Sequence, residues 1–524
     1  MKFPRSAGIL LHISSLPGPY GIGDLGLAAN NFASFLNEAG QTIWQILPLC
    51  PPANGNSPYS SYSAFATNSN LISPDKMIQR GWGSQEDLDR AISQAGTTSE
   101  VSNQVDFESA NSIRKAFFDS AFAAQKLSLA QSNAYQEFSR DNAYWLDDFA
   151  LFESIARVEK QFNWTQWPSE LAQRDQAALV EFQKQYSDEV EYSRFLQFVF
   201  ETQWKELKQQ CNELNIRVYG DLPIFVDHQS ADVWANQKQF QLDDSGKPEF
   251  VAGVPPDYFS PLGQKWGNPL YRWDVMEQDG YTWWNQRFQR ALEQFDIIRV
   301  DHFRGFEAYY QIPAEAPSAK TGSWIKGPGA KPFLAAEREL GVLPIVAEDL
   351  GLITKEVDQL RDELEFPTMR VMQFGYGSAD DNFHRPDHYP DHCFAYTGTH
   401  DNETIMGWYQ NQMENPEGET RQLLSSHFHD PMTSPDPSSE SAETEKAVQK
   451  LPVNLQMVEA VLESNADTAI IPMQDYLGLD NKARMNTPAT VDGNWQWKLK
   501  PNQLEELSPV SLRDMTIRSQ RLNS

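Results

Sequence analysis

Four acidic residues stand at or just after short runs rich in apolar residues, and together they could catalyse a reaction by proton transfer and nucleophilic attack. Asp221, Asp301 and Glu348 each end such a run, and Asp401 follows a fourth run after a short polar stretch. The ends of the strands in a parallel barrel meet at one mouth, so acids at these positions can form one site. Paired carboxylates supply a general acid and a nucleophile. The four positions therefore predict an acid-catalysed active site.

The neighbours of Asp301 and Glu348 predict different roles for the two carboxyls. Arg299 lies two residues before Asp301, so on a strand both side chains point to the same side. A guanidinium there favours the ionised carboxylate, which predicts a low pKa and a nucleophilic role for Asp301. The four residues before Glu348 include no base. Partial burial is therefore expected to raise the pKa of Glu348, as a general acid at neutral pH requires.

The elements that must position these residues are eight short apolar runs, most of them separated by helical patterns. Unbroken apolar runs of this length are typical of strands buried on both faces of a parallel sheet. Eight such strands alternating with helices predict an α/β fold, a (β/α)8 barrel of the TIM type. The predicted strands span residues 8–12, 42–47, 216–222, 297–301, 345–349, 368–374, 393–396 and 468–473.

The uneven spacing of the runs predicts insertions within a single catalytic domain at residues 1–524. About 170 residues separate the second run from the third, far more than one crossover connection needs. Residues 51–215 are therefore expected to form a largely helical insertion. Residues 225–279, rich in Gly, Pro and aromatic residues, are predicted to include an active-site lid loop, and residues 415–442 an exposed polar loop. No separate C-terminal β-domain is expected.

Composition and charge exclude several classes of partner. The 524-residue chain is 40% hydrophobic and 22% charged, as in an ordinary globular protein. Its formal net charge of −29 opposes binding to nucleic acid or to an anionic membrane. Cys50, Cys211 and Cys393 are too widely spaced for a disulfide framework or a metal pair. The sequence shows neither an apolar stretch of the roughly 18 residues of a membrane span nor a signal sequence, so a cytoplasmic location is expected.

Two motifs that could bind a cofactor or a metal lack the context that they need. The GxGxxG pattern at residues 21–26 is separated from its strand by Pro17-Gly-Pro19, and no acidic residue follows about twenty positions on. Three histidines recur every fourth residue from His384 to His392, but two prolines between them forbid a regular helix. A glycine-rich loop and a solvated loop are the better interpretations, and no cofactor or metal is expected.

Three of the acids lie in the blocks RVDHFRG at residues 299–305, AEDLG at 347–351 and TGTHDN at 397–402. These blocks resemble the signatures of the 4-α-glucanotransferases, the amylomaltase or disproportionating-enzyme family of the α-amylase superfamily. The resemblance runs from Gly8 to about Trp497, and it implies transfer of α-1,4-glucan segments between maltooligosaccharides or starch- and glycogen-like glucans. Further similar blocks lie at residues 57–65, 220–226, 254–260 and 263–269.

Carried over residue by residue, the resemblance implies that Asp301 is the nucleophile and Glu348 the general acid/base. Asp401 would be a third carboxylate that binds sugar hydroxyls and stabilises the distorted ring. The implied reaction is a retaining double displacement, in which the two working carboxyls lie about 5–5.5 Å apart. The implied donors and acceptors are α-1,4-glucans, maltooligosaccharides or glucose, and the chemistry requires neither a metal nor an organic cofactor.

The same resemblance implies which residues bind the sugar. Arg299 and His400 are expected to hydrogen-bond the sugar and the nucleophile, and Asp221 is expected to belong to the same subsite. Tyr59 looks like the residue that stacks beneath the reacting ring. Two segments depart from the pattern of the family. Ala489 stands where Gly is usual, which is expected to alter a tight turn near the last strand, and residues 67–71, Thr-Asn-Ser-Asn-Leu, replace the usual Gly-Asn-Pro version.

On the acceptor side, the resemblance implies a covering loop that includes Trp266 and Asn268. Transfer exceeds hydrolysis only if the acceptor glucan displaces water from the intermediate, and a lid at residues 254–268 could exclude that water. The sequence leaves two other interpretations open, an α-glucan hydrolase of the same fold and a non-catalytic glucan-binding protein. It does not determine the oligomeric state.

Overall fold

Strands and helices alternate along the residues that the structure, a computed structural model, describes: 2–96, 102–256, 260–377, 383–415, 418–428 and 451–522. The strands are β1 Ser6–Leu10, β2 Ile43–Gln45, β3 Arg217–Pro223, β4 Phe250–Val254, β5 Gln264–Pro269, β6 Ile297–Asp301, β7 Ala308–Pro313, β8 Ser323–Lys326, β9 Ile345–Ala347, β10 Thr368–Val371, β11 Cys393–Tyr396 and β12 Thr468–Pro472.

The α-helices in these ranges are α1 Leu27–Glu38, α2 Pro74–Gln79, α3 Gln85–Ala95, α4 Phe107–Leu129, α5 Asn133–Asp141, α6 Ala143–Glu159, α7 Ser169–Ala172, α8 Gln176–Gln185, α9 Ser187–Glu213, α10 Ala231–Ala235, α11 Trp273–Gln278, α12 Thr282–Gln294, α13 Arg304–Glu307, α14 Lys331–Leu340, α15 Lys355–Glu363, α16 Ile405–Met413, α17 Glu419–His427, α18 Val453–Glu463, α19 Met473–Tyr476, α20 Gln503–Glu506 and α21 Pro509–Arg518. Among these described helices, none combines the length and the apolar character that crossing a membrane requires.

Eight of the strands form one parallel sheet that curves into a barrel. Their order is β10-β11-β12-β1-β2-β3-β6-β9, and the hydrogen-bonded pairs within it are parallel. The N–H of Ala347 donates to the carbonyl of Pro367 at 3.2 Å, which brings β9 beside the start of β10 and nearly closes the ring. These are the eight strands predicted from the apolar runs, so the (β/α)8 prediction is confirmed.

The barrel strands are buried on both faces because most of their residues are apolar or small. All five residues of β1 and of β12 are buried, as are the first four of β6. In β3, Gly220 has a packing role, since a Cβ atom there would lie 2.3 Å from the ring of Phe295. The glycine lets this ring pack against the strand one residue before Asp221. The acid is therefore held on a tightly packed backbone.

The helices α2 to α9 lie between β2 and β3, within residues 51–215. Two buried amides of α9 support the irregular segment after β2. Gln197 donates to the carbonyl of Thr67 at 2.9 Å and accepts its N–H at 2.8 Å, and Gln203 bonds both backbone groups of Ser73 at 3.0 and 2.8 Å. Buried backbone groups outside regular elements require such partners. The helices thus brace this segment, while the treatment of residues 51–215 as a subdomain stays a prediction.

A second sheet, which the sequence analysis missed, is antiparallel and has the order β5-β4-β7-β8. Two of its strands, β4 and β5, lie in residues 225–279, and the other two lie between β6 and β9. The sequence of β5, Gln-Lys-Trp-Gly-Asn-Pro, is poor in residues that favour strands. Pairing with β4 supplies the extended conformation, so the strand depends on tertiary contacts.

Part of the exposed loop predicted at residues 415–442 is helical. Helix α17 spans Glu419–His427, and Leu424 on it is buried. The loop prediction is wrong for these residues because adjacent leucines supply an apolar face, and the helix packs against the 3-10 turn Met372–Tyr376. The remaining positions of the predicted loop, 416–417 and 429–442, lie outside the described residues.

Candidate active site

The structure brings the four predicted acids together at the carboxyl end of the barrel. Asp221 lies in β3, Asp301 ends β6 and Glu348 follows β9, and these three strands are neighbours in the sheet. Asp401 lies in the turn between β11 and α16. Each of the other three acids interacts electrostatically with Asp301. The acids that the sequence identified one strand at a time therefore form a single pocket.

Arg299 is the cation at the centre of this pocket. Its Nη1 lies 2.7 Å from Oδ2 of Asp221, and its Nη2 lies 2.8 Å from Oδ1 of Asp301. The arginine is only 4% exposed. Burial alone would lower its pKa, but the two carboxylates raise the pKa of Arg299 well above its usual value. The guanidinium is therefore permanently charged and bridges the two neighbouring strands.

The prediction that Arg299 holds the pKa of Asp301 low is wrong. Burial has the largest effect on the pKa of Asp301 and raises it, and the negative charges of Asp221, Glu348 and Asp401 raise it further. Together these effects exceed the lowering of the pKa by Arg299. The physical reason is that folding buries the carboxyl and brings three other acids to it, and a single guanidinium does not offset these combined effects. The side chain of Asp301 keeps 27% of its surface exposed, so one face of the carboxylate stays open to a substrate.

The carboxylate of Glu348 is oriented by the backbone. Its Oε2 accepts the N–H of His302 at 2.7 Å, and its Oε1 accepts the N–H of Leu350 at 2.9 Å. His302 has a φ of 51°, a left-handed conformation that is costly for a histidine and is common at functional sites. Burial raises the pKa of Glu348, although Arg299 and the two N–H groups oppose the shift. The direction agrees with the predicted general acid.

Tyr59 and His400 form a stacked aromatic pair beside the acids. Their ring centroids lie 4.9 Å apart with an interplanar angle of 14°, and the Tyr59 hydroxyl donates to Oδ2 of Asp221 at 2.7 Å. Nε2 of His400 lies 3.4 Å from Oδ1 of Asp401. Burial lowers the pKa of His400, so its ring is neutral at pH 7 and serves as a hydrogen-bonding group rather than a cation.

Three residues that surround Asp401 and Tyr59 were not predicted from the sequence. Asn486 donates from Nδ2 to Oδ1 of Asp401 at 2.6 Å, and Arg484 donates to its carbonyl at 2.7 Å. The ring of Trp495 lies 5.8 Å from that of Tyr59. All three follow β12 in the sequence. The amide of Asn486 and the indole of Trp495 lie there among other polar and aromatic residues, so nothing local distinguishes them. The available signal was the block at residues 485–490, which the sequence analysis considered only for Ala489.

The second sheet carries the two predicted lid residues and brings one of them, Trp266, to the acidic pocket. Trp266 lies in β5, 38% exposed, and its ring meets His302 edge to face with centroids 4.9 Å apart. Asn268 donates from Nδ2 to the carbonyl of Val226 at 2.9 Å, which ties β5 to the segment after β3. Trp266 therefore contacts the residue whose N–H orients Glu348. Residues 257–259 of the predicted lid lie outside the described residues.

No group of three His, Cys, Asp or Glu side chains able to hold a metal ion occurs within the described ranges. His384, the first of the three spaced histidines, is mostly buried, and its Nδ1 accepts the N–H of Val371 at 3.2 Å. The cysteines are free, with Cys211 and Cys393 buried. The polar groups described in the pocket thus include carboxylates, the guanidinium groups of Arg299 and Arg484, an amide and aromatic rings.

Replacing Ala489 by glycine is expected to stabilise the protein by about 1 kcal/mol, because Ala489 has a φ of 64° and a Cβ atom strains this left-handed conformation. The free energy of unfolding in a denaturant titration measures the effect. Ala335 lies inside helix α14, where the same replacement is expected to destabilise by about 1 kcal/mol. Equal signs for the two variants would contradict the strain at Ala489.

Comparisons with known proteins agree with this geometry. A family model described as 4-alpha-glucanotransferase matches residues 11–504. A 4-alpha-glucanotransferase of Thermus thermophilus is 40% identical over 100% of both chains, and one of Synechocystis is 41% identical over 96% of this chain and 95% of that protein.

Solved structures show the same fold. An amylomaltase from Streptococcus agalactiae in complex with acarbose is 33% identical, with a TM-score of 0.89 over 99% of this chain and 100% of that one. An amylomaltase from Corynebacterium glutamicum is 17% identical, with a TM-score of 0.71 over 99% of this chain and 75% of that one, a likeness of fold alone. The match to the family model and the full-length identity to its members show that the chain belongs to the 4-alpha-glucanotransferase family.

Proposed function

We propose that this chain performs the reaction of its family, the transfer of α-1,4-glucan segments, by a retaining double displacement with Asp301 as nucleophile and Glu348 as general acid/base. The observation that supports this most directly is the register of β6 and β9. Val300 stands opposite Ala347, so the two acids follow at neighbouring positions on adjacent strands. Adjacent strands lie about 4.8 Å apart, so two carboxyls at these positions can approach to the 5–5.5 Å that a retaining mechanism requires.

In the first step, Glu348 gives its proton to the glycosidic oxygen while a carboxylate oxygen of Asp301 attacks the anomeric carbon. The bond to the leaving glucan breaks, and a covalent glycosyl-enzyme forms. In the second step, ionised Glu348 takes the proton of an acceptor hydroxyl, whose oxygen attacks the anomeric carbon and displaces Asp301. Two inversions give net retention, and both carboxyls return to their starting states.

The residues around the pair are proposed to bind the sugar as its ring distorts. Asp401 has one oxygen held by Asn486 and a side chain that is 44% exposed, so its second oxygen is available for sugar hydroxyls. The side chain of Asp221 is fully buried, so Asp221 is proposed to support the subsite through Arg299 and Tyr59, each of which it bonds at 2.7 Å. Tyr59 and His400 supply a flat apolar surface and a ring nitrogen beside the same position.

Acceptor glucans rather than water are proposed to complete the reaction, because the second sheet covers the side of the pocket on which Glu348 lies. Trp266 is exposed enough to stack on a sugar ring, and it contacts His302 beside Glu348. A bound acceptor at this ring would displace the water that otherwise hydrolyses the intermediate. Glucose and maltooligosaccharides are the proposed acceptors. The acarbose complex of the Streptococcus agalactiae amylomaltase supports a glucan-like ligand.

Incubation with maltotriose is expected to yield a ladder of shorter and longer glucans, because transfer redistributes glucosyl units without net hydrolysis. Chromatography of chain lengths together with an assay of reducing ends measures the two activities. Trp266→Ala is expected to raise the ratio of hydrolysis to transfer about tenfold, while Trp266→Phe keeps a stacking ring and stays near wild type. A steady rise in reducing ends with the wild-type enzyme would instead indicate the hydrolase, and unchanged maltotriose the non-catalytic binding protein.

A further inference from the structure

The segment that includes His400 and Asp401 borders a small cavity. It joins β11 to α16, and its residues Thr399, His400 and Thr404 line this cavity together with His12 and Leu47. Side chains over a cavity lack contacts on one side and can shift with little loss of packing energy. Besides the direct contacts of Asn486 and Arg484 with Asp401, hydrogen bonds at the ends of the segment therefore contribute to where His400 and Asp401 lie.

One buried carboxylate supplies these bonds at both ends. Asp475 lies in α19, directly after β12, and is 1% exposed. Its Oδ2 accepts the hydroxyl of Thr397 at 2.5 Å, and its Oδ1 accepts the N–H of Ile405 at 2.8 Å. Thr397 is the first residue after β11, and Ile405 is the first residue of α16. The two oxygens of one side chain thus hold the start and the end of the segment 397–405.

We infer that Asp475 is a positioning residue for the transfer reaction, acting through the segment 397–405 on His400 and Asp401. The inference rests on the proposed roles of these two residues at the distorted sugar. Asp475 follows β12, whose five residues are all buried, so its position relative to the barrel is fixed. Its two hydrogen bonds therefore fix the ends of the segment 397–405 relative to the barrel. A displacement of about 1 Å at a group that contacts the transition state can cost 10²-fold in rate.

Two threonines of the same environment allow a matched test. Thr397 and Thr468 are both fully buried, and each makes one hydrogen bond through its hydroxyl. Thr397 bonds Asp475 at the carboxyl end of the barrel, whereas Thr468 bonds the hydroxyl of Ser6 at 3.1 Å at the amino end of β12. Replacement by valine removes the same group at both sites. If the hydrogen bond of Thr397 to Asp475 is only structural, the two valine variants are expected to lose activity to the same extent. If it positions the segment 397–405, Thr397→Val is expected to lose more activity than Thr468→Val.

The experiment measures kcat and KM for maltotriose disproportionation, the affinity for acarbose and the melting temperature of each variant. Thr397→Val is expected to lower kcat at least about tenfold with KM within about twofold, and to weaken acarbose binding by a similar factor, because Asp401 acts on the distorted ring. Thr468→Val is expected to keep kcat and acarbose affinity within about twofold despite a comparable fall in melting temperature. Thr397→Ser keeps the hydroxyl and is expected to restore kcat.

Equal kinetic losses in Thr397→Val and Thr468→Val would overturn the inference, as would wild-type kcat and acarbose affinity in Asp475→Ala. Asp401→Asn, measured in parallel, separates the inference from the proposed function. If Asp401→Asn loses acarbose affinity and Thr397→Val does not, the positioning role of Asp475 fails alone. If Asp401→Asn binds acarbose and transfers as the wild type does, the proposed role of Asp401 fails, and the inference fails with it.

Discussion

Asp301→Asn is expected to reduce transfer between maltooligosaccharides by at least about 10⁴-fold, which corresponds to about 5 kcal/mol of lost transition-state stabilisation. An amide oxygen cannot form the glycosyl-enzyme at a useful rate, so the first displacement has no nucleophile. Binding is expected to persist, because asparagine has nearly the same shape and Arg299 keeps its ion pair with Asp221 at 2.7 Å. Disproportionation rates for maltotriose and calorimetric titration with acarbose measure the two properties separately.

Asp296→Asn is the matched control, since it makes the same change directly before the same strand, at the opposite end of the barrel. Asp296 accepts the N–H of Val218 at 2.8 Å and lies away from the four acids of the pocket. This variant is expected to keep transfer within about twofold of wild type. Near-wild-type transfer by Asp301→Asn would remove Asp301 from the mechanism, whereas equal loss in both variants would indicate a general structural effect.

Glu348→Gln is expected to lower kcat/KM for maltotriose by about 10³-fold or more, because glutamine cannot protonate the leaving oxygen. Glycosyl-enzyme formation from α-maltosyl fluoride, whose leaving group needs no proton, is expected to stay within about tenfold of wild type. The two N–H groups at 2.7 and 2.9 Å from Glu348 hold the side chain in place, although an amide can accept only one of them. Rapid quenching with mass spectrometry measures the intermediate.

The pH dependence of the wild-type rate with the two donors is a second test of the role of Glu348. Glu348 must be protonated for the first step with maltotriose, so the wild-type rate is expected to fall as the pH rises through its pKa, which burial raises above the usual value. The same descending limb is expected to be absent with α-maltosyl fluoride. If Glu348→Gln handled both donors as the wild type does, or if both donors showed the same descending limb, Glu348 would not be the acid.

The barrel and its acids could be predicted from the sequence because both depend on local properties. A strand buried on two faces is mostly apolar, as β6 is apart from Arg299, so it is visible as a short apolar run. The residue that follows such a run lies at the mouth of the barrel whatever the other strands are. Asp301 and Glu348 were therefore recognisable one strand at a time, before any contact between them was known.

The features that escaped prediction depend on residues distant in the chain. Strand β5 is extended because β4 pairs with it, against the preference of its own residues. Asn486 reaches Asp401 from 85 positions away, and an asparagine in an irregular segment carries no local sign of that contact. The loop predicted at residues 415–442 contains helix α17 because Leu424 finds a buried position. In each case the deciding energy comes from a partner that sequence patterns do not identify.

By itself, the sequence determined the barrel, the positions of the four acids and, through its similar blocks, the family. The tertiary structure alone decided the electrostatic state of the pair with which the sequence analysis began. Arg299 lies two residues before Asp301 and suggested a low pKa, yet folding also brings Asp221, Glu348 and Asp401 to the same carboxyl and removes water from it. A pKa reflects the sum of burial and every charge in space. Neighbours along the chain reveal only one part of that sum.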